Sequence, residues 1–228
     1  MRHLLVSSTL LVLAFSPSLT RAEDPPPGRG FLTYEISVTN VTRNQRFTPV
    51  LFVVHRTGVQ LFEVGEPASA ELATLAEEGN TAPLAEALRA TSGVREAIAT
   101  SGLLDPGATV TQRIHARPFE RISAAAMLIP TNDGFFALSG AALPLGFEPV
   151  RLPAPAYDAG SERNDELCAS IPGPFFDECG GPGGGAQVDG GEEGFVHIHA
   201  GIHGIGDLDA SERDWRNPTA MVSIRRIR

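Results

Sequence analysis

The chain has 228 residues, which is enough for one large domain or two small ones. Its 27 acidic residues outnumber its 18 basic ones, and the net charge of −9 argues against a nucleic-acid-binding protein, which needs a basic surface to meet phosphates. Every basic residue is arginine, so a phosphate-binding loop of the form G-x-x-x-x-G-K-[ST] is excluded.

The first 22 residues have the pattern of a secretory signal peptide. Arg2 supplies a positive charge, residues 4–15 form an apolar core, and residues 20–22 fit a cleavage site. The core is shorter than the roughly 20 apolar residues of a membrane-spanning helix. We therefore expect a secreted or periplasmic protein without a transmembrane segment, beginning near Glu23. Cleavage would leave 16 basic residues against 27 acidic ones, a net charge of −11.

The sequence predicts a flexible leader followed by one domain in the mature chain. Residues 23–30 are rich in proline and glycine, and the domain spans residues 31–228. Alternating apolar residues over 31–41 predict a strand. A continuous apolar run over 49–55, bounded by turn residues, predicts a buried strand.

Residues 67–100 change character and predict a short helical insertion. Pro67 suits a first helical turn, and the alanine- and leucine-rich segment after it would end at Gly79. The composition of residues 80–90 and 93–100 predicts two further short helices.

Strand patterns then resume and continue to the end of the chain. Alternation over 109–116 and an apolar run over 121–129 predict strands, and strand chemistry returns over 195–199 and 219–227. Residues 180–194 contain eight glycines and predict a mobile loop. The whole pattern predicts an all-β fold, an antiparallel β-sandwich of about seven or eight strands.

Two acidic turn segments carry the most specific signal in the chain. Residues 130–136 (Pro-Thr-Asn-Asp-Gly-Phe-Phe) place Asp133 after an apolar strand, and residues 157–162 (Tyr-Asp-Ala-Gly-Ser-Glu) supply Asp158 and Glu162. Three carboxylates brought to one strand end suit Ca²⁺, which prefers oxygen ligands and tolerates irregular loops. Ordinary turn chemistry also explains each segment separately, so both interpretations remain open.

These segments resemble the N-terminal spondin domain family, found in F-spondin, mindin and secreted bacterial proteins. The family pattern is an apolar strand ending in Pro-x-x-Asp before aromatic residues, followed later by an aromatic-Asp-Ala-Gly-x-acid box. Residues 31–40 and 217–222 also resemble bacterial members.

The resemblance implies a sandwich similar to a C2 domain, with one Ca²⁺ bound by Asp133, Asp158 and Glu162. The last acid is more often aspartate in the animal proteins, so the longer Glu162 side chain is a departure from the pattern. Animal members act in adhesion, and the analogy predicts a non-enzymatic adhesion or recognition module. Its partner would be an extracellular or envelope protein or carbohydrate.

A histidine cluster suggests an alternative function. In a strand, His197 and His199 would point to one face, and His203 could join them from the following loop. Imidazole suits Zn²⁺ or Cu²⁺, which would make the chain a periplasmic or secreted copper- or zinc-binding protein. These imidazoles could equally bond to backbone groups or acids, and no fourth ligand has zinc-site spacing.

The two cysteines, Cys168 and Cys179, predict one disulfide in an exported protein. Free thiols and a metal pair are the alternatives, although ten intervening residues do not match a zinc knuckle. The chain has no G-x-S-x-G nucleophile motif, and we expect no enzymatic activity.

Overall fold

The computed structural model describes residues 30–173, 179, 184 and 190–228. The main regular structure of this part of the chain is β-strand, arranged in two antiparallel sheets. The strands, in chain order, are β1 (Leu32–Asn40), β2 (Arg46–Phe47), β3 (Leu51–His55), β4 (Val94–Ala99), β5 (Thr109–Ala116), β6 (Arg121–Ile129), β7 (Gly134–Ala142), β8 (Val150–Ala154), β9 (Ala156–Asp158), β10 (His197–Ile198) and β11 (Ala220–Ile227).

The strand order confirms the predicted antiparallel β-sandwich. One sheet has the order β5-β1-β11-β8, and the other has the order β10-β9-β7-β6-β3-β4 with β2 also paired to β6. Eleven strands are described instead of the seven or eight expected. Strands β2 and β9 have two and three residues and are too short for alternation to reveal them, and β10 covers only two of the five residues predicted over 195–199.

The core lies on both faces of the larger sheet. Strand β6 is buried along almost its whole length, which explains its continuous apolar sequence. One cluster fills the space between the two sheets and receives the inward side chains of β1: Tyr34, Ile36 and Val38. A second cluster packs the opposite face of the larger sheet against two helices.

Those helices confirm most of the predicted helical insertion. Helix α1 (Ala70–Glu78) begins at Ser69, whose hydroxyl accepts a hydrogen bond from the backbone N–H of Leu72, and ends at Gly79 in the left-handed region. Helix α2 (Ala82–Ala90) follows directly. A third short helix, α3 (Ala210–Arg213), lies near the end of the chain.

The predicted helix over residues 93–100 is wrong, because this segment forms strand β4. Gly93 turns the chain after α2 with a positive φ of 95°, and β4 then pairs with β3 in antiparallel register, with Ile98 opposite Phe52. The alanine-rich sequence favours a helix locally. Pairing with the backbone groups of β3 overrides that preference, since an unpaired buried strand edge is costly.

The predicted disulfide between Cys168 and Cys179 is present, with a Cα–Cα distance of 5.5 Å. The predicted signal peptide of residues 1–22 and nearly all of the predicted leader lie outside the described residues, as does most of the glycine-rich segment 180–194. Within the described ranges, no helix combines the length and apolarity that crossing a bilayer requires.

Gly79 and Gly102 allow a matched test of how α1 docks on the sheet. Both have similar positive φ angles, 68° and 74°, but a Cβ at Gly79 would overlap the Thr48 side chain while one at Gly102 meets nothing. Thr48 cannot rotate freely because its hydroxyl accepts the N–H of Met127. We expect Gly102→Ala to cost about 1–2 kcal/mol of backbone strain and Gly79→Ala about 1–3 kcal/mol more from the overlap.

Urea denaturation of the two variants measures the difference. Equal losses in the free energy of unfolding would show that α1 can move away from Thr48 without cost.

Candidate functional site

The turn between β6 and β7 places the first predicted acid in the interior. The hydroxyl of Thr131 donates to the carbonyl of Leu128 at 2.6 Å and accepts the N–H of Gly134 at 3.0 Å, which closes the turn tightly. Asp133 therefore points inward and is completely buried. A strand end followed by a turn thus delivers a carboxylate to the edge of the core.

The carboxylate of Asp133 joins this turn to the second acidic segment. Its Oδ2 atom accepts hydrogen bonds from the backbone N–H of Ser161 at 2.8 Å and of Glu162 at 3.1 Å. The carbonyl of Asp133 also accepts the N–H of Ala159 at 3.2 Å. The two segments that the sequence analysis selected are therefore in direct contact.

Asp158 lies on β9, opposite Gly134 on β7 and His197 on β10. Its Oδ1 accepts the N–H of Gly160 at 2.8 Å, and its Oδ2 accepts a side-chain N–H of Asn164 at 2.6 Å. Gly160 has a positive φ, and a Cβ there would overlap the backbone of residue 195. The glycine of the box is thus required by close backbone packing.

All three predicted acids are buried: Asp133, Asp158 and Glu162 are 0, 1 and 2 % exposed. Burial, and next the charge of Asp158, raise the pKa of Asp133 to about 8, with a smaller contribution from Glu162. Burial likewise raises the pKa of Asp158. When Asp133 ionises, its charge is therefore opposed by the charges of Asp158 and Glu162 in a region that solvent does not screen.

One carboxylate oxygen of Asp133 can still accept a hydrogen bond or a metal ion. Among the described residues, none bonds to the buried Oδ1 of Asp133. An oxygen-rich donor set with an unused oxygen fits a hard cation such as Ca²⁺. Still, no three acidic, histidine or cysteine side chains in the described ranges already stand in a metal-coordinating arrangement. Ion binding would require the carboxylates to adjust.

Only the first of the three predicted histidines lies within a strand, but His197 Nδ1 and His199 Nε2 lie 3.8 and 3.9 Å from the carboxylate oxygens of Asp158. Strand β10 ends at Ile198, so His199 lies beyond it, with its ring 4.9 Å from that of Trp215. The side chain of His197 is partly exposed, with Nδ1 3.2 Å from the carbonyl of Phe195. The backbone N–H of His203 donates to a carboxylate oxygen of Glu166.

The state of His199 bears on the proposed transition-metal site. Burial, together with the charges of His197 and His203, lowers the pKa of His199 to about 3, so its ring is neutral at pH 7. Its Nδ1 accepts the N–H of Gly201 at 3.0 Å, which places the ring proton on Nε2. A protonated Nε2 does not bind metal. This atom lies 3.9 Å from Oδ2 of Asp158, so the histidine and acid clusters adjoin instead of being separate.

Sequence reasoning missed the polar residues that brace the acidic loop. The carboxylate of Glu166, a residue with a positive φ of 55°, accepts the N–H of His203 at 2.6 Å and of Ile205 at 2.9 Å. Asn132 donates to Asp165 at 3.1 Å. In the sequence, only their position close to the predicted acids could have indicated that these residues belong to the site.

The fold and the site together define an antiparallel β-sandwich with a buried acidic cluster where β7 and β9 meet. The family model described as Spondin_N matches residues 38–162, more than half of the chain, and includes all three acids. The chain therefore belongs to the spondin N-terminal domain family. The family and the disulfide are typical of extracellular proteins. No curated protein matches the chain.

The raised pKa of Asp133 predicts an unusual dependence of stability on pH. In the folded protein Asp133 holds its proton up to about pH 8, whereas in the unfolded chain it loses the proton near its ordinary pKa of 3.8. The folded state thus binds more protons, and its stability falls as pH rises through this range. His199 acts in the opposite direction, but only below its ordinary pKa of 6.5.

We therefore expect metal-free protein to lose on the order of 1 kcal/mol between pH 6.5 and 8, from roughly 1.4 kcal/mol per pH unit for one proton. Urea denaturation at several pH values, in the presence of a chelator, measures this loss. Asp133→Asn should remove most of it. A parent protein and variant with parallel profiles would contradict the assignment.

Proposed function

We propose that the chain is an exported, non-enzymatic recognition module in which a Ca²⁺ ion is held by Asp133, Asp158 and Glu162. The observation that supports this most directly is the burial of three adjacent carboxylates, with one oxygen of Asp133 lacking a hydrogen-bond partner among the described residues. A divalent cation would offset their mutual repulsion and use the spare oxygen.

The ion would act as a link between two loops. Asp133 follows β6, and the other two acids belong to residues 157–162, so an ion bound by all three would hold these segments at one end of the sandwich. Loops held rigid lose less conformational freedom when a partner binds. By analogy with animal members of the family, the role is adhesion to an extracellular or envelope protein or carbohydrate.

The copper or zinc alternative has weaker support. His199 would have to give up its hydrogen bond from Gly201 before Nε2 could bind a metal. His197 Nδ1 lies 3.8 Å from Oδ1 of Asp158, so this ring also lies beside an acid of the proposed calcium site. The acidic cluster is therefore the better candidate for the metal.

A thermal unfolding experiment tests the calcium proposal. Calcium at about 100 times its Kd stabilises a folded protein by about 2.7 kcal/mol, which for a chain of this size is a rise of roughly 5–10 °C in Tm. EDTA should remove this increment. Asp158→Asn should abolish the response to calcium, and Glu86→Gln, which removes an exposed carboxylate on α2, should keep it.

A parent protein whose Tm is the same in EDTA and in calcium would overturn the proposal. Stoichiometric copper or zinc in protein purified without an affinity tag, lost in a His197→Ala, His199→Ala double variant, would support the transition-metal alternative.

A further inference from the structure

A basic cleft lies at the opposite end of β6 from the acidic cluster. It has a volume of about 290 Å³ and is lined by three arginines, Arg56, Arg95 and Arg117, together with Ser92, Gly93 and Glu120. Three guanidinium groups beside one carboxylate leave a local excess of positive charge in a chain whose net charge is −9. Such an excess attracts anions.

Glu120 organises one side of the cleft. It is 5 % exposed, and its carboxylate accepts two hydrogen bonds from Arg95 Nε and Nη2 as well as the backbone N–H of Arg117 at 2.7 Å. This carboxylate thereby fixes the Arg95 side chain and closes the turn that leads into β6. Arg56 and Arg117 form no ion pair with any described carboxylate.

An aromatic ring orders two of the guanidinium groups. The centre of the Phe31 ring lies 4.7 Å from the guanidinium carbon of Arg95 and 5.2 Å from that of Arg117. Cation–π contacts of this kind hold arginine side chains in place without neutralising them. The cleft therefore presents charges that are positioned before a ligand arrives.

A strained phenylalanine lies in the turn between Arg117 and Glu120, two residues that line the cleft. Phe119 has a positive φ of 69° and is 80 % exposed. A bulky residue in the left-handed region is uncommon, and backbone strain of this kind is concentrated at sites that bind ligands. Burial does not explain the aromatic side chain here.

We propose that this cleft binds an oxyanion group, a sulfate or phosphate monoester, with Phe119 against the organic part that carries it. A tetrahedral oxyanion has acceptor oxygens in several directions, which suits guanidinium groups on three different segments. A carboxylate ligand offers only two oxygens, and the two oxygens of Glu120 already accept hydrogen bonds from Arg95. The ligand is a sulfated or phosphorylated sugar, or the free ion.

The site is independent of the calcium proposal. Strand β6 has nine residues and separates Glu120 from the acidic turn, a distance of roughly 30 Å at about 3.3 Å per residue. Failure of one proposal would leave the other untouched.

Titration of the mature chain with sodium sulfate, followed by NMR, tests the proposal, with sodium chloride at equal ionic strength as the control. We expect saturable shifts of the Ser92, Gly93 and Val94 amide signals with sulfate alone. An Arg56→Gln, Arg117→Gln double variant should bind about tenfold more weakly or worse. Arg151→Gln, which removes an exposed arginine from β8, should stay within about twofold because distant exposed charges are screened.

A sulfated disaccharide and its desulfated form distinguish the possible ligands. Tighter binding of the sulfated sugar than of inorganic sulfate, lost in Phe119→Gly, shows that the ring contacts the carrier. Equal affinity for the sulfated sugar and for inorganic sulfate shows that the cleft takes the free ion and overturns the role of Phe119. No saturable shift with any of these anions, or unchanged affinity in the double variant, overturns the site itself.

Discussion

The hydrogen bonds that Asp133 accepts from the backbone of Ser161 and Glu162 fix the acidic end of this sandwich. They join the turn after β6 to the loop after β9, beside the antiparallel pairing of β7 with β9. A carboxylate buried in this way loses its hydration, and backbone donors replace only part of it. The hydration free energy that is not replaced raises the pKa of Asp133 and favours binding of a proton or a cation there.

Strand β6 has a buried carboxylate near each end, and the two are satisfied differently. Glu120 is neutralised by Arg95 and is hydrogen-bonded to backbone as well. Asp133 has backbone donors on one oxygen, while its neighbours in the cluster are further acids. The first arrangement is complete within the protein and shapes a basic cleft. The second is incomplete, which is the physical reason that a metal ion is proposed there.

The histidines show that a spacing pattern depends on where the strand ends. His197 and His199 are two residues apart, which in a longer strand would place both rings on one face. The strand ends between them, and His199 packs beside Trp215 with its Nδ1 accepting the N–H of Gly201. A pattern of alternate residues carries information only while the strand continues, and the length of an edge strand depends on its partner.

Strands with a strong apolar pattern were predictable because the pattern of apolar residues indicates which faces of the strand are buried. Strand β6 has a continuous apolar sequence because both of its faces are covered, and β1 alternates because one face is exposed. Strand β4 was not predictable, since its alanines favour a helix in isolation. The open edge of β3 determined the conformation of β4, and the sequence of β4 alone does not show that this edge is available.

By itself, the sequence determined the family, the antiparallel sandwich, the disulfide and the identity of three acids, because each depends on local patterns or on short motifs. Only the tertiary structure decided that those acids are buried together, that Asp158 also adjoins His199, and that three distant arginines line one cleft. Contacts between residues far apart in the chain depend on how the sheets pack, and packing is a property of the whole fold.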